Sequence, residues 1–310
     1  MPITTKEVNY QNFGRCLFLS DGKTELLVTL DLGPRVIRYA LCGGNNVFFE
    51  DLDRAFTAGN AEVQAAFGAG EKWFIYGGHR LWTSPESMPY SYYPDNTGVA
   101  YELTENGACF TPPAQRVNDV QMQVAVAFMD DGKVKVSHKV TVVGQSTREF
   151  AVWCISAMAP GGYSIIPQNR RDTGLLPNRT ISVWPTANMG GDWLRFGEEY
   201  ITLSHEPKLP RSFKMGLDLE AGKVCYINNG VAFVKRYEHQ LSARYPDNGC
   251  SYETYFNNMF FECESLGPLA HVTPGESISH EETWELLPYE KEVDLRDATQ
   301  VAQAFTEIVG

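Results

Sequence analysis

The amino-acid sequence predicts an all-β fold with one helix at the C-terminal end. Short runs of β-branched and aromatic residues recur along the chain, and turn signals such as Gly33-Pro34, Asp130-Asp131-Gly132 and Asn229-Gly230 separate them. Many strands, few helices and a length of 310 residues are typical of one large antiparallel sandwich or a closed barrel. Because no change of composition marks a boundary, we expect residues 1–310 to form a single domain.

Composition and charge narrow the class of protein. Hydrophobic residues make up 43% of the chain, which is enough for a sizeable core. The chain has 26 Lys and Arg residues against 38 Asp and Glu residues, a net charge of −12. Nucleic acids and anionic membranes repel such a chain, so neither is expected as a partner. A neutral or polar small molecule is the expected partner, although a local cluster of Arg and Lys would still accept an anion.

The cysteines and the N-terminal residues predict a cytoplasmic protein. The seven cysteines are widely spaced without a Cys-x-x-Cys pair, which is typical of free thiols in a reducing compartment. Residues 1–10 lack the apolar core of a signal peptide, and no apolar run reaches membrane-spanning length. No nucleotide-binding motif appears, and His280-Glu281-Glu282 lacks the second His of a zinc motif. No cofactor and no metal are therefore predicted.

The first third of the chain predicts two strands, a loop and a polar, aromatic segment. Strands are expected at Leu26–Asp31 and Arg35–Leu41, and a loop with at most one helical turn at Asp51–Gly70. Trp73–Glu86 is dense in aromatic, glycine and polar residues and has no clean period. Such a segment suits the wall of a cleft, where aromatic rings and polar groups bind a sugar. The alternative is a structural loop whose aromatic residues cover the core.

The middle of the chain predicts a regular sheet. Apolar residues alternate through Val120–Phe128 and Val134–Val142 around the turn at Asp130-Asp131-Gly132, which predicts a β-hairpin. His138 falls on the apolar side of this hairpin, so we interpret it as a core residue. Phe150–Met158 is almost continuously apolar, as expected for a strand that is covered on both faces.

The last third predicts short strands and then the helix. Strands are expected at Thr180–Trp184, Tyr200–Ser204, Arg211–Gly216, Lys223–Asn228 and Val231–Arg236. Asp294 is the predicted N-cap of the terminal helix. One stripe of that helix is apolar and consists of Leu295, Ala298, Ala302, Phe305 and Val309.

Two carboxylates lie near the C-terminus, in the apolar run Met259–Leu269. If this run is a strand, Glu262 and Glu264 share one face, because side chains alternate along a strand. Two carboxylates side by side at the mouth of a sheet suit a general base and a neighbour that shifts the pKa of that base. The alternative is an ordinary solvated strand face.

The same region resembles the galactose mutarotase-like, or aldose 1-epimerase, superfamily. An acidic strand, the Pro274-Gly275-Glu276 turn and a polar, aromatic strand follow one another through Met259–Leu287. The Gly-Gly-His-Arg-Leu-Trp segment at Gly77–Trp82 and the Tyr-Pro-Asp turns at Tyr93 and Tyr245 resemble an uncharacterised branch of that superfamily. The resemblance implies a β-supersandwich of large, mostly antiparallel sheets, with a sugar site on the concave face.

The resemblance also implies a reaction, the interconversion of sugar anomers. In that reaction a base takes the proton of the anomeric hydroxyl, an acid protonates the ring oxygen, and the ring opens and recloses. Glu262 matches the catalytic carboxylate, Glu264 stands where the family often has Gln, and Arg80 matches a sugar-binding arginine. The catalytic His of the family is absent, since its nearest match is Ala151–Ile155.

Other residues are candidates on their chemistry. His79 is the first candidate for the missing acid, because imidazole exchanges protons near neutral pH; its alternative role is to orient a neighbour. The candidate substrate-binding residues are Arg80, Trp82, Lys235, Glu264, Glu86 and Asp247. Trp82 would stack on a sugar or simply pack, and Lys235 would bind substrate or end a solvated strand.

Three functions are compatible with these residues and with the resemblance. The first is an enzyme of the aldose 1-epimerase type, an isomerase with Glu262 as base. The second is a non-catalytic carbohydrate-binding or sensing protein on the same fold, because the usual His is missing. The third is a lyase or hydrolase, for which the sequence offers no second acid or nucleophile. The identity of the sugar and the oligomeric state stay open.

Overall fold

The computed structural model describes residues 3–310, and within them the chain forms mostly β-structure. Three α-helices are present in this range: α1 at Ala61–Phe67, α2 at Pro246–Gly249 and α3 at Ala298–Val309. The strands are β1 Thr4–Asn9, β2 Arg15–Ser20, β3 Thr24–Thr29, β4 Val36–Leu41, β5 Thr57–Ala58, β6 Trp73–Phe74, β7 Gly78–Ser84, β8 Ala100–Leu103, β9 Gly107–Thr111, β10 Val120–Phe128, β11 Val134–Val142, β12 Arg148–Met158, β13 Tyr163–Pro167, β14 Ile181–Val183, β15 Leu194–Phe196, β16 Tyr200–Ser204, β17 Phe213–Leu217, β18 Lys223–Asn228, β19 Val231–Tyr237, β20 Tyr252–Phe256, β21 Phe261–Leu266, β22 Ala270–Val272 and β23 Ser277–Pro288.

Two large sheets pack against each other. The first has 11 strands in the order β1-β2-β3-β4-β7-β12-β21-β20-β17-β14, with β22 paired to β12. The second has 10 strands in the order β15-β16-β13-β18-β19-β23-β11-β10-β9-β8. Neighbouring strands run antiparallel, as do β7, β12 and β21 at the centre of the first sheet. The predicted all-β fold is confirmed, and the open sheets make it a sandwich rather than a closed barrel.

The main core lies between the two sheets. Alternate residues of the central strands enter it, among them Leu81 of β7, Cys154 of β12 and Cys263 of β21. Tyr39, Phe48 and Trp284 form the aromatic centre, with ring centroids 5.5–6.2 Å apart. Because residues between these positions point the other way, the first sheet has a second face, turned away from the second sheet. We call it the outer face.

The predicted hairpin is confirmed residue by residue. β10 and β11 span Val120–Phe128 and Val134–Val142, and Val124 lies opposite His138. His138 is completely buried, which confirms its interpretation as a core residue. The regular alternation of apolar residues made this region predictable, since one face of the hairpin enters the core.

The terminal helix is confirmed, but its predicted start was wrong. α3 begins at Ala298, and Asp297 caps it by accepting hydrogen bonds from the backbone N–H groups of Thr299 and Gln300. Asp294 accepts instead from the backbone N–H of Arg296, in the turn before the helix. The buried face of α3 packs on the outer side of the second sheet, against residues such as Cys225 and Val234.

A long connection between β4 and β7 covers part of the outer face of the first sheet. It contains β5, β6 and the seven-residue α1. Of these, β5 and α1 lie within Asp51–Gly70, where the sequence predicted a loop with at most one helical turn. Gly77 and Gly78 bring it back into the sheet: a Cβ atom would lie 2.1 Å from the carbonyl oxygen of Phe49 at Gly77, and 2.2 Å from that of Val36 at Gly78. Both glycines also have positive φ angles. Among residues 3–310, no helix has the length and apolar character needed to cross a bilayer.

Candidate functional site

Strand alternation divides the candidate residues between two faces of the first sheet. His79 and Leu81 of β7 point into the space between the sheets, whereas Arg80 and Trp82 point to the outer face. Glu262 and Glu264 of β21 lie on the outer face as well, as their contacts with Arg80 and Trp153 require. The sequence-based expectation that the two glutamates share a face is therefore confirmed.

Arg80 and Glu262 form a buried ion pair at the centre of the outer face. The Arg80 Nη1 atom lies 2.8 Å from Glu262 Oε1, and both side chains are nearly inaccessible to solvent. The guanidinium stacks over the rings of Trp82 and Trp73, 4.5 and 5.6 Å from their centroids. A buried charge needs such a partner, so Arg80 and Glu262 compensate each other's charge next to the aromatic wall.

Glu264 belongs to a second cluster, which is adjacent to the first. Its Oε2 atom accepts a hydrogen bond of 2.9 Å from Trp153 Nε1, and Glu253 of β20 lies opposite it in the sheet. Lys214 of β17 lies 2.9 Å from Glu253 Oε2 and 3.8 Å from Glu264 Oε2. The Lys214 ammonium also lies over the ring of Trp153, 4.5 Å from its centroid.

Burial sets the protonation of this second cluster. It raises the pKa of Glu264 to about 7, against the attraction of Lys214 and with added repulsion from Glu262. Burial likewise raises the pKa of Glu253 well above its usual range. Burial opposes the charge on Lys214, but Glu264, Glu253 and Glu86 outweigh it and raise the pKa of the ammonium. Near neutral pH the cluster therefore holds a proton on its carboxyl groups beside a permanently charged lysine.

A cleft of about 320 Å³ opens above this cluster. Its lining combines aromatic and charged side chains: Glu86, Met88, Tyr92, Trp153, Trp184, Lys214 and Asp247. Glu86 accepts a hydrogen bond from the hydroxyl of Tyr92 and lies 3.9 Å from Lys214 Nζ. Aromatic faces beside fixed polar groups can bind a sugar ring.

The second Tyr-Pro-Asp turn brings Asp247 to the rim of the cleft. Asp247 and Asn248 are consecutive residues in the left-handed region, with φ angles of 52° and 67°. The Asp247 carboxylate accepts a long hydrogen bond, 3.4 Å, from Ser84 Oγ. The first turn acts differently, since its Asp95 forms an ion pair with Arg35. The two similar turns therefore have different roles, one at the cleft and one in a structural ion pair.

His79 does not lie at the cleft. It is 1% exposed, and its Nδ1 and Nε2 atoms bond to Ser156 Oγ at 2.9 Å and His138 Nε2 at 2.7 Å. Burial, together with the neighbouring His138, lowers the pKa of His79 well below its usual range. A neutral imidazole between the sheets cannot protonate a ligand on the outer face, so its assignment as the acid is corrected.

Lys235 is also an interior residue. It is completely buried, and its Nζ atom lies 2.7 Å from Glu282 Oε1. It donates hydrogen bonds to the backbone carbonyls of Cys154 and Cys263 on the opposite sheet. Neither predicted role, substrate binding or a solvated strand end, fits this position. Lys235 instead links the two sheets.

One group of interior side chains has the composition of a metal site. Ligand atoms of His79, His138 and Glu282 lie within 4.8 Å of one another. His138 Nδ1 donates to the carbonyl of His280, so its Nε2 accepts from His79. Glu282 is engaged by Lys235, Ser265 and Trp284. These contacts satisfy the group as a hydrogen-bond network, and the Lys235 charge opposes a further cation.

The structure keeps apart four cations that could together have bound an anion, Arg80, Arg170, Arg171 and Lys235, which nothing in the sequence placed together. Arg170 pairs with Glu199 and Arg171 with Glu220, both at the surface. Arg80 and Lys235 lie on opposite sides of the first sheet, each with its own glutamate. Since each of these cations has a carboxylate partner, they do not form a common site for a phosphate or carboxylate.

Several residues of the site were not predicted, among them Lys214, Glu253 and Trp153. Lys214 and Glu253 lie in five-residue strands, β17 and β20, which carry no motif. In the sequence, Trp153 is notable only as part of the segment that lacks the family's His. It lies directly opposite Trp82 in the sheet, which could have been inferred only with the strand register in hand.

Comparisons with known proteins establish the fold. No family model matches the chain, and no match is found among curated proteins. A solved structure of a candidate aldose 1-epimerase from Klebsiella pneumoniae matches with a TM-score of 0.62 at 12% identity, covering 99% of this chain and 88% of that one. A candidate mutarotase from Salmonella typhimurium matches with a TM-score of 0.54 at 8% identity, covering 93% and 94%.

A galactose mutarotase-like protein from Lactobacillus casei also matches, with a TM-score of 0.52 at 10% identity, covering 88% of this chain and all of that one. At such low identities the matches establish the architecture rather than an activity. The chain therefore has the galactose mutarotase-like fold, and the predicted resemblance is confirmed at the level of the fold.

Proposed function

We propose that the protein is an aldose 1-epimerase-like isomerase, which interconverts the anomers of a sugar at the outer face of its first sheet. The observation that carries this proposal is the pairing of two unlike carboxyl groups on β21. Glu262 forms a buried ion pair with Arg80, whereas burial raises the pKa of Glu264 to about 7. Two neighbouring carboxyl groups in such different environments suit one base and one acid.

The spacing of the two groups suits this chemistry. Residues two apart on one face of a strand have Cα atoms about 7 Å apart. That gap accommodates the anomeric carbon of a sugar with its hydroxyl oxygen toward one group and its ring oxygen toward the other. Glu264 thus takes the role predicted for His79, and no imidazole is needed.

The reaction balances with these two groups. The Glu262 carboxylate takes the proton of the anomeric hydroxyl, Glu264 gives its proton to the ring oxygen, and the bond between the anomeric carbon and the ring oxygen breaks. The aldehyde end rotates, and the ring hydroxyl attacks its other face. The hydroxyl proton returns to Glu264, and the proton on Glu262 returns to the anomeric oxygen. Lys214, which stays charged, fixes the position of Glu264.

The burial of Glu262 favours a second candidate, a carbohydrate-binding protein without catalysis. Glu262 is 5% exposed and Glu264 is completely buried, so the cleft presents Lys214 and the tryptophans before it presents either carboxyl group. Aromatic rings with charged neighbours are sufficient to bind a sugar. The isomerase proposal requires the sugar to reach Glu262, and the binding proposal does not.

One NMR experiment separates the two candidates. Saturation transfer, measured with the protein and a panel of neutral, amino and phosphorylated aldoses, reports both binding and the exchange of anomers. We expect accelerated exchange for at least one sugar. Binding without accelerated exchange would support the sugar-binding protein instead. If no sugar binds and none exchanges, both candidates are contradicted.

A further inference from the structure

The charges around the cleft support an inference about its ligand, and this inference rests on the proposed sugar site. The cleft and the cluster beneath it contain two cations, Arg80 and Lys214, and five carboxyl groups, Glu86, Glu253, Glu262, Glu264 and Asp247. Even with a proton on each of the buried groups Glu253 and Glu264, whose pKa values burial raises, carboxylates outnumber cations by one. The potential in the cleft is therefore negative.

Both cations of the site already have a carboxyl partner. Arg80 is paired with Glu262 at 2.8 Å, and Lys214 is paired with Glu253 at 2.9 Å. A phosphate or carboxylate on a sugar would have to compete with these buried partners for the same cations. An anionic ligand would thus gain little binding free energy from these cations, and the remaining carboxylates would repel it.

The carboxylates on the rim are less well compensated. Asp247 has the 3.4 Å contact with Ser84 and no ion pair among residues 3–310. Glu86 lies 3.9 Å from Lys214, a long distance for an ion pair, and its side chain is 37% exposed. A cation in the cleft would find these two negative groups accessible.

The walls of the cleft already hold one cation, the Lys214 ammonium. Trp153 and Trp184 flank the Lys214 ammonium, with centroids 4.5 and 4.8 Å from Nζ. The negative faces of aromatic rings attract ammonium groups. Beneath this position, the completely buried Glu264 Oε1 accepts no hydrogen bond from residues 3–310. The site therefore retains a buried carboxyl oxygen without a hydrogen-bond partner as well as excess negative charge.

We propose that the cleft selects a sugar that carries an ammonium group, such as an aminohexose, over the neutral parent sugar, and that it rejects sugar phosphates and uronic acids. The ammonium group lies at the rim carboxylates Asp247 and Glu86, away from the Lys214 ammonium that the tryptophan faces already hold. The ring of the same sugar lies toward Glu262 and Glu264.

The test compares four ligands of similar size by calorimetric titration at mildly acidic pH. They are 2-amino-2-deoxyglucose, its neutral N-acetyl derivative, glucose and glucose 6-phosphate. We expect the amino sugar to bind about tenfold more tightly than glucose, which corresponds to about 1.4 kcal/mol. The phosphate should bind more weakly than glucose, and added salt should reduce the preference for the amino sugar.

Two variants locate the effect. Asp247→Asn removes the charge and keeps a residue that accepts the left-handed backbone, so the preference for the amino sugar over glucose should fall to about threefold. Glu281→Gln changes an exposed glutamate on the second sheet and should leave the preference intact. Equal or weaker binding of the amino sugar, tighter binding of the phosphate, or no binding of any of the four sugars would overturn the inference. Anomer exchange of neutral sugars reports separately on the proposed function.

Discussion

Single residues decide which face of the first sheet carries chemistry. His79 and Arg80 are adjacent in sequence, and both were predicted to act on a sugar. The irregular segment around them has no alternation that would reveal which one faces the core. In the structure, the contact with Glu262 places Arg80 on the outer face, whereas the hydrogen bond to His138 places His79 between the sheets. The identity of the proposed base was thus predictable from the strand pattern and the resemblance, whereas that of the proposed acid was not.

The elevated pKa of Glu264 predicts how stability depends on pH. The pKa is raised from 4.5 to about 7 in the folded protein, so between these values the folded chain retains a proton that the unfolded chain has lost. The free energy of unfolding should therefore fall as pH rises from about 4.5 to about 7. The Glu264→Gln variant should show a shallower fall, with Glu253 supplying the remainder.

Thermal unfolding of both proteins across this pH range checks the prediction. The difference in Tm between wild type and Glu264→Gln should change in favour of the variant as pH rises. A constant difference in Tm from pH 4.5 to about 8 would mean that Glu264 titrates normally, and it would contradict the role of Glu264 as the proposed acid.

At the scale of elements, regular patterns were predictable and short strands were not. The hairpin of β10 and β11 follows from nine-residue alternation on each strand. β17 and β20 have five residues each and contribute Lys214 and Glu253 through their positions in the sheet. Strand order depends on contacts between residues far apart in the chain, which local propensity does not encode.

The start of α3 gives a test at this scale. Asp297→Ala removes the side chain that accepts from two free N–H groups at the helix start, so the free energy of unfolding should fall by about 1 kcal/mol. Asp294→Ala is the matched control, because Asp294 lies in the preceding turn and does not cap the helix. Denaturant titration measures both. An equal or larger loss for Asp294→Ala would contradict the assigned helix start.

At the scale of the whole molecule, a buried polar network joins the two sheets. Lys235 and Glu282 of the second sheet bond to each other and to groups of the first sheet, and the pair of His79 and His138 also crosses between them. The sequence shows these residues as isolated polar positions in apolar strands. The backbone carbonyls that Lys235 reaches are 28 and 81 residues away, so only the fold reveals the network.

This network predicts a large difference between buried and exposed lysines. Lys235→Met leaves the buried Glu282 without its cation and should lower the free energy of unfolding by about 3–5 kcal/mol. Lys135→Met breaks an exposed pair with Glu281 and should cost at most about 1 kcal/mol. The double variant Lys235→Met/Glu282→Gln should recover part of the loss. If denaturant titration gives similar values for the two single variants, Lys235 does not support the sandwich.

The measurement that tests the proposed catalytic role of Glu262 most directly is anomer exchange in Glu262→Gln. The substitution keeps the shape of the side chain and removes its charge, so Arg80 retains a hydrogen-bond acceptor. For the sugar that exchanges fastest with the wild type, magnetisation-exchange NMR should show a rate at least about 100-fold lower in Glu262→Gln. Glu281→Gln, with its site on the other sheet, should exchange at the wild-type rate. A folded Glu262→Gln protein that exchanges anomers as fast as the wild type would contradict the proposed mechanism, because the chemistry would then not take place at this carboxylate.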